Sequence, residues 1–121
     1  MSPPADTVLL VEDAQDLGPL LLETLEEWNH SAVLAQTGAE ALTVLDRQPV
    51  SLVLLDHELP DMTGSELLGI LRSQKRPIPP VVLMTGWDPG TTETSGVVEV
   101  LHKPFDLSEL AGVLRRHLPG H

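Results

Sequence analysis

Residues 52–64, LVLLDHELPDMTG, are the stretch of sequence that decides the fold of this chain. The apolar run LVLL, followed by a segment that contains Pro60 and Gly64, predicts a strand buried on both faces, as in a parallel sheet. Asp56 ends this strand. Because open α/β sheets bind ligands and carry out chemistry at the carboxyl ends of their strands, Asp56 is the first candidate for a functional residue.

Three other apolar runs also end in side chains that can take part in chemistry. These runs, with the residues that follow them, are 8–11 (VLLV) with Glu12 and Asp13, 81–84 (VVLM) with Thr85, and 97–102 (VVEVLH) with Lys103. Parallel strands present their carboxyl ends at the same edge of a sheet. We therefore expect Asp56 to lie beside two further carboxylates, a hydroxyl and an amine.

Helical patterns alternate with the strands, which include a short fifth one at 31–35. The predicted helices cover 16–28, 37 to about 48, a segment that opens at Thr63 and a segment that opens at Asp106. In the first helix the residues predicted to face the core are Leu17, Leu20, Leu21, Leu25 and Trp28. Thr37, Thr63 and Asp106 are each followed three residues later by a glutamate, the pattern of a capping box. This order predicts a single parallel sheet with helices on both faces.

The fourth strand–helix unit is the weak one. Residues 86–96, GWDPGTTETSG, combine glycines, a proline and hydroxyl side chains, all poor helix formers. We expect a turn of helix or less in this segment, and mostly loop.

Composition limits the classes of function. With 121 residues and 41% hydrophobic residues, the chain predicts one globular domain at 7–118, an N-terminal arm or linker at 1–6 and a tail at 119–121. A net charge of −11 argues against direct binding of nucleic acid. No apolar run approaches the roughly 20 residues that span a bilayer, and no signal peptide is visible. The absence of cysteine excludes thiolate chemistry and favours a reducing, cytoplasmic location.

The expected cluster has the parts of a phosphoryl-transfer site. Glu12, Asp13 and Asp56 would raise one another's pKa unless a cation held them together, and oxygen ligands of this kind suit Mg²⁺. Thr85 and Lys103 would bind oxygens of a phosphoryl group. Asp56, the most central carboxylate, would be the nucleophile that forms an acyl phosphate.

These motifs together identify a family. Residues 8–13 (VLLVED), 54–56 (LLD), 59–64 (LPDMTG), 83–86 (LMTG) and 103–105 (KPF) resemble the receiver domain of the two-component response regulators. The resemblance covers about residues 7–118. It implies an α/β fold with a doubly wound, five-stranded parallel sheet of order 2-1-3-4-5, flavodoxin-like, with a shortened or irregular fourth helix.

The resemblance also implies roles for the site residues. Asp56 would accept a phosphoryl group from a histidine of a sensor histidine kinase or a histidine phosphotransfer protein. Asp13 and Asp56 would ligate Mg²⁺ directly, Glu12 through water, and Glu58 through its backbone carbonyl. Thr85 and Lys103 would hold the phosphoryl oxygens. Such a domain assists only its own phosphorylation and autodephosphorylation, and is otherwise not an enzyme.

Two departures from the family bear on the output of the domain. Val100 stands where relatives often carry a switch aromatic, three residues before the lysine. The fourth helix is about one turn short on the spacing from Thr85 to Lys103. Similar shortening occurs in receivers attached to hybrid histidine kinases, which favours a phosphorelay. The sequence leaves the oligomeric state open, a dimer included.

Further interpretations concern neighbouring residues and competing functions. Glu58 and Trp87 are candidates to gate attacking water, and Gln15, Pro19 and Leu22 are candidates for kinase docking. One alternative function is a phosphorylation-independent, receiver-like adaptor. Another is a haloacid-dehalogenase-type phosphatase, which the upstream position of Glu12 and Asp13 argues against.

Overall fold

The computed structural model describes residues 7–74, 77–86 and 96–118, which form five strands and four helices. In chain order these are β1 (Thr7–Val11), α1 (Leu17–Glu27), β2 (Ser31–Ala35), α2 (Gly38–Arg47), β3 (Leu52–Asp56), α3 (Gly64–Ser73), β4 (Val81–Thr85), β5 (Glu99–His102) and α4 (Leu107–His117). The strands form one parallel sheet of order β2-β1-β3-β4-β5, as predicted. The predicted arm, tail and short fourth helix fall on 1–6, 119–121 and 87–95, outside the described residues. Within the described part of the chain, no helix is long and apolar enough to cross a membrane.

The sheet has a hydrophobic core on each face. Along β1, Val8 and Leu10 contribute to the cluster that includes residues of α1 and α4, whereas Leu9 and Val11 contribute to the cluster that includes residues of α2 and α3. All residues of β1, β3 and β4 are buried, because helices cover both faces of these central strands. This double burial explains why the runs are apolar throughout rather than alternating.

Helix α1 corrects one residue of the predicted core stripe. Leu21 and Leu25 are fully buried and Trp28 packs against the same cluster, but the Leu20 side chain is 57% exposed. The buried side follows i, i+4 positions, and Leu20 precedes Leu21 by one residue, roughly 100° around the helix. The prediction that Leu20 faces the core was therefore wrong. Asn29 follows the helix with a φ of 65°, in the left-handed conformation that often ends a helix.

The predicted capping boxes differ in how completely they form. At α3 the Thr63 hydroxyl accepts from the Glu66 amide, and the Glu66 carboxylate accepts from the Thr63 amide, each at 3.1 Å. At α2 the Thr37 hydroxyl accepts from the Glu40 amide at 3.0 Å. The Glu40 carboxylate, however, accepts from the Gln36 amide at 3.1 Å, one residue outside the expected position.

Strand β5 begins at Glu99 rather than at Val97 as predicted. Val98 still donates its amide to the Val81 carbonyl at 2.8 Å, but its side chain is 51% exposed. Strand β5 lies at one end of the sheet order, so it pairs within the sheet only with β4. Its first residues therefore lack the double burial of the central strands.

Gly64 lets the start of α3 lie directly against the end of β3. Its amide donates to the His57 carbonyl at 2.7 Å. A Cβ at this position would lie 3.1 Å from the Asp56 carbonyl oxygen and 3.2 Å from the His57 Cα. Because these contacts are with backbone atoms, the neighbours cannot move away without shifting the end of the strand that carries Asp56.

Substitution of Gly64 by alanine should therefore destabilise the protein. We expect Gly64→Ala to lower the free energy of unfolding by about 1–3 kcal/mol, the usual cost of overpacking. Gly69→Ala is the matched control in the same helix, since a Cβ there meets nothing within 4 Å. That variant should be neutral or more stable by up to about 1 kcal/mol. Urea unfolding measures both, and equal stability of the two variants would contradict the packing described.

Candidate functional site

The strand register assembles the predicted site at the carboxyl edge of the sheet. In the β1–β3 pair Val11 lies opposite Leu55, so the next residues, Glu12 and Asp56, are neighbours. In the β4–β5 pair Thr85 lies opposite His102. The amide of Lys103, one residue further on, donates to the Thr85 carbonyl at 2.9 Å.

Three carboxylates meet at this edge. Oxygen atoms of Glu12, Asp13 and Asp56 lie within 4.8 Å of one another. Glu12 is 1% exposed and Asp56 is 6% exposed, whereas Asp13 is open to solvent. A set of close carboxylate oxygens with one solvent-facing member fits a hard divalent cation that keeps part of its water shell, such as Mg²⁺.

The amine of Lys103 lies between the two buried carboxylates. Its Nζ is 2.6 Å from Glu12 Oε1 and 3.1 Å from Asp56 Oδ1. The lysine reaches this position from the loop that follows β5, where its peptide bond to Pro104 is cis. One cation thus compensates two carboxylates in this arrangement.

The surroundings of the site raise the pKa of both Asp56 and Lys103, for different reasons. Burial, reinforced by the charge of Glu12, raises the pKa of Asp56 to about 6, although Lys103 acts in the opposite direction. Burial by itself would lower the pKa of Lys103, but its hydrogen bond to Glu12 and the charges of Asp56 and Glu12 raise it above its usual value. Lys103 is therefore a permanent cation near neutral pH, and Asp56 is a carboxylate with an unusually high proton affinity.

All predicted site residues line one open cleft of about 710 Å³. The lining consists of Glu12, Asp13, Ala14, Asp56, His57, Glu58, Leu59, Pro60, Thr85, Gly86 and Lys103. Thr85 is 1% exposed at the end of β4, and Glu58 lies in the solvent-exposed loop after β3. The structure therefore brings together the predicted phosphoryl-binding and metal-binding residues.

The residues proposed for kinase docking and for gating water differ in their exposure. Gln15 and Pro19 are exposed, but Leu22 is half-buried and packs against the core. Leu20, with its 57% exposure, is the more available apolar side chain on α1. Trp87, the proposed partner of Glu58 in gating water, lies outside the described residues.

Sequence reasoning missed the role of Asp61 in the architecture. Its carboxylate accepts hydrogen bonds from the amides of Gly38 and Ala39, at 2.9 and 3.0 Å. These amides belong to the first turn of α2. No local pattern predicts the contact, because the partners are more than twenty residues apart in the chain.

The fold and the acidic, lysine-bridged edge define a class of protein, the flavodoxin-like receiver domains. Comparison with known proteins agrees, since the family described as response regulator receiver domain matches residues 8–115. The chain belongs to this family, the receiver domains of two-component response regulators.

Individual relatives and solved structures support the assignment. The chain is 37% identical to the response regulator protein FleR of Pseudomonas aeruginosa, over 96% of this chain and 25% of FleR. It is 34% identical to the aerobic respiration control sensor protein ArcB of Escherichia coli, over 93% of this chain and 15% of ArcB. The chain thus spans a quarter or less of the length of these two curated relatives.

Among solved structures, the response regulator protein TrrA of Thermotoga maritima, in complex with Mg²⁺ and BeF, aligns with a TM-score of 0.83. It shares 28% sequence identity with this chain, over 93% of this chain and 99% of the TrrA chain. The alignment therefore extends over nearly the whole of both chains.

The raised pKa of Asp56 predicts how stability depends on pH in the metal-free protein. The folded state holds a proton on Asp56 up to a pH of about 6, whereas the unfolded chain releases it near the ordinary value of 3.8. The folded state binds more protons between these values, so the free energy of unfolding falls as the pH rises through this window. Asp56→Asn should remove this loss and be more stable above pH 6, by on the order of 2 kcal/mol.

Urea unfolding in EDTA at pH 7.5 and at pH 4 tests this expectation. The advantage of Asp56→Asn should be present at pH 7.5 and largely gone at pH 4. Glu23→Gln, at an exposed position of α1, serves as the control and should show no such difference. A lower stability of Asp56→Asn than of the wild type at pH 7.5 would contradict the electrostatics described.

Proposed function

We propose that this chain is a phosphoacceptor domain that takes a phosphoryl group from a phosphohistidine of a partner protein onto Asp56, in a reaction that depends on Mg²⁺. The observation that carries this proposal is the position of the Lys103 amine, which lies 3.1 Å from Asp56 inside a cluster of three carboxylates. A nucleophile, a fixed cation and a set of hard oxygen ligands are thus assembled at one edge of the sheet.

Some of the proposed ligands would contact the metal directly, and one would act through water. Asp13 and Asp56 would bind Mg²⁺ directly, Glu12 would bind it through water, and Glu58 would offer its backbone carbonyl. When bound, Mg²⁺ neutralises charge on the carboxylates and on a phosphoryl oxygen. The response regulator TrrA, which has the same fold, was solved in complex with Mg²⁺ and BeF, and this supports the proposal that the acidic edge binds Mg²⁺.

The protein side chains supply the remaining chemistry. A carboxylate oxygen of Asp56 attacks the phosphorus, a P–O bond forms, and the P–N bond to the partner imidazole breaks. The electron pair of that bond stays on the imidazole nitrogen, which takes up a proton. Lys103 and the hydroxyl of Thr85 bind oxygens of the transferred group, and these contacts favour the charge distribution of the transition state.

The conformational response cannot use an aromatic side chain at position 100. Val100 is half-buried and packs against the cluster that includes residues of α2 and α3. Its partner in the β4–β5 pair is Leu83, also in that cluster. The signal from the Asp56 edge therefore reaches the surface by another route than an inward-turning aromatic.

The proposed partners are a sensor histidine kinase or a histidine phosphotransfer protein, in a phosphorelay that includes or receives from a hybrid kinase. Similar segments occur in a response regulator, FleR, and in a sensor protein, ArcB, so both kinds of parent protein fit. The domain extends over 7–118, with a linker or arm at 1–6 and a tail at 119–121, and acts in the cytoplasm. It catalyses only reactions of its own Asp56.

Beryllofluoride, which forms a phosphoryl-like adduct with carboxylates, tests the pocket directly. We expect a bound ¹⁹F NMR signal from the wild-type protein when beryllofluoride and Mg²⁺ are both present, because Asp56, Lys103 and Thr85 together would hold the adduct. Asp56→Asn should show no bound signal, whereas Glu23→Gln should match the wild type. No bound signal from the wild type, or one that persists in Asp56→Asn, would refute the proposed function and favour a phosphorylation-independent adaptor.

A further inference from the structure

The carboxylate of Asp61 links the loop that follows β3 to the first turn of α2. It lies in the loop 57–63 between β3 and α3, and it accepts from the amides of Gly38 at 2.9 Å and Ala39 at 3.0 Å. These two bonds, that to Gly38 first, hold the pKa of Asp61 below its ordinary value. The residue is therefore a carboxylate near neutral pH, although its side chain is exposed.

Two backbone amides in the first turn of α2 have Asp61 as their hydrogen-bond acceptor. The N-terminal amides of a helix have no partner within the helix. The Thr37 hydroxyl satisfies the amide of Glu40, the third helical residue. The Glu40 carboxylate is engaged by the Gln36 amide. Asp61 provides the acceptors for the first and second helical amides, with a charge that also suits the helix dipole.

Packing reinforces these hydrogen bonds. A Cβ at Gly38 would lie 2.5 Å from the Met62 sulfur and 2.7 Å from its Cγ. The absence of a side chain at Gly38 therefore lets Met62, the neighbour of Asp61, lie against the start of α2. The loop 57–63 is thus held to α2 by two consecutive residues.

The loop that Asp61 holds is also a wall of the site. Its residues 57–60 line the cleft next to Asp56. Within the loop the Leu59 amide donates to the Met62 carbonyl at 3.1 Å, and the loop closes where the Gly64 amide donates to the His57 carbonyl at 2.7 Å. A displacement of Asp61 would therefore be transmitted to the residues beside Asp56.

Glu12, on the other side of the site, is also linked to α2 through the backbone. The amide of Glu12 donates to the carbonyl of Ala35, the last residue of β2, at 3.0 Å. The chain then leads within three residues from Ala35 into α2. The start of α2 is thus linked to Glu12 through β2, and to the loop after Asp56 through Asp61.

We infer that Asp61 is a positioning residue for the metal site, on the condition that the proposed function holds. Its carboxylate holds the loop 57–63 against the start of α2. It thereby fixes the distance between the Glu58 backbone and Glu12 and Asp13, the acidic residues that follow β1. The residues that would hold Mg²⁺ would then already be in place, and less binding free energy would be spent on ordering the loop.

A titration of ¹⁵N-labelled protein with MgCl₂, followed by backbone amide NMR, tests this inference. Asp61→Ala removes both acceptors and should weaken Mg²⁺ binding roughly 3- to 10-fold, at or below the lower range of effects from residues that support metal ligands. Asp61→Asn keeps one carbonyl acceptor and should lie between this variant and the wild type. In the wild type, Mg²⁺ should also shift the amide signals of Gly38 and Ala39, with the same midpoint as those of the loop 57–63, because Asp61 links the two segments and both report one binding event.

Thr37→Ala is the matched control, because it removes a capping bond from the same end of α2 without touching the loop. It should change the Mg²⁺ affinity less than about twofold, although, like Asp61→Ala, it destabilises the start of α2. Equal loss of affinity in Thr37→Ala and Asp61→Ala would overturn the positioning role, as would an unchanged affinity in Asp61→Ala. If the wild type itself binds no Mg²⁺, the proposed function fails and the role of Asp61 fails with it.

Discussion

The interaction on which the site depends is the pairing of one half-buried lysine with two buried carboxylates. Glu12 and Asp56 lie side by side at the ends of adjacent strands, where burial and the charge of Glu12 both oppose the ionisation of Asp56. The Lys103 amine, within 3.1 Å of both, opposes this repulsion. Lys103 compensates this repulsion only in part, because the pKa of Asp56 remains raised even with the lysine beside it. A divalent cation or a phosphoryl group bound at this edge would directly change the balance of charge between Lys103 and the two carboxylates.

The topology of the sheet makes this pairing possible. In the order β2-β1-β3-β4-β5, the chain moves to one side of β1 for β2 and to the other side for β3. A crevice at the carboxyl ends results where this reversal occurs, and it is the usual ligand site of such sheets. Glu12 and Asp56 flank this point, and β5 brings Lys103 to the same edge. Residues that are 91 positions apart in the chain, Glu12 and Lys103, thus form a hydrogen bond.

Sequence patterns predict the parts of this structure that rest on local physics. Unbroken apolar runs identify the central strands, and a hydroxyl or carboxylate before a glutamate marks the starts of α2, α3 and α4. The patterns fail where tertiary contacts decide. Leu20 resembles its core-facing neighbours but lies off the buried stripe, and Glu40 bonds to Gln36 instead of closing its capping box. Asp61 contacts α2 only because two distant segments converge, which no local pattern records.

The mass of the intact protein after incubation with acetyl phosphate, a small acyl phosphate donor, shows whether Asp56 accepts a phosphoryl group. We expect the addition of one phosphoryl group, only when Mg²⁺ is present, and we expect borohydride reduction and peptide mapping to locate it at Asp56. Asp56→Asn should remain unmodified, and Glu23→Gln should be modified like the wild type. A phosphoryl group at another residue, or none on the wild type with Mg²⁺ present, would contradict the account.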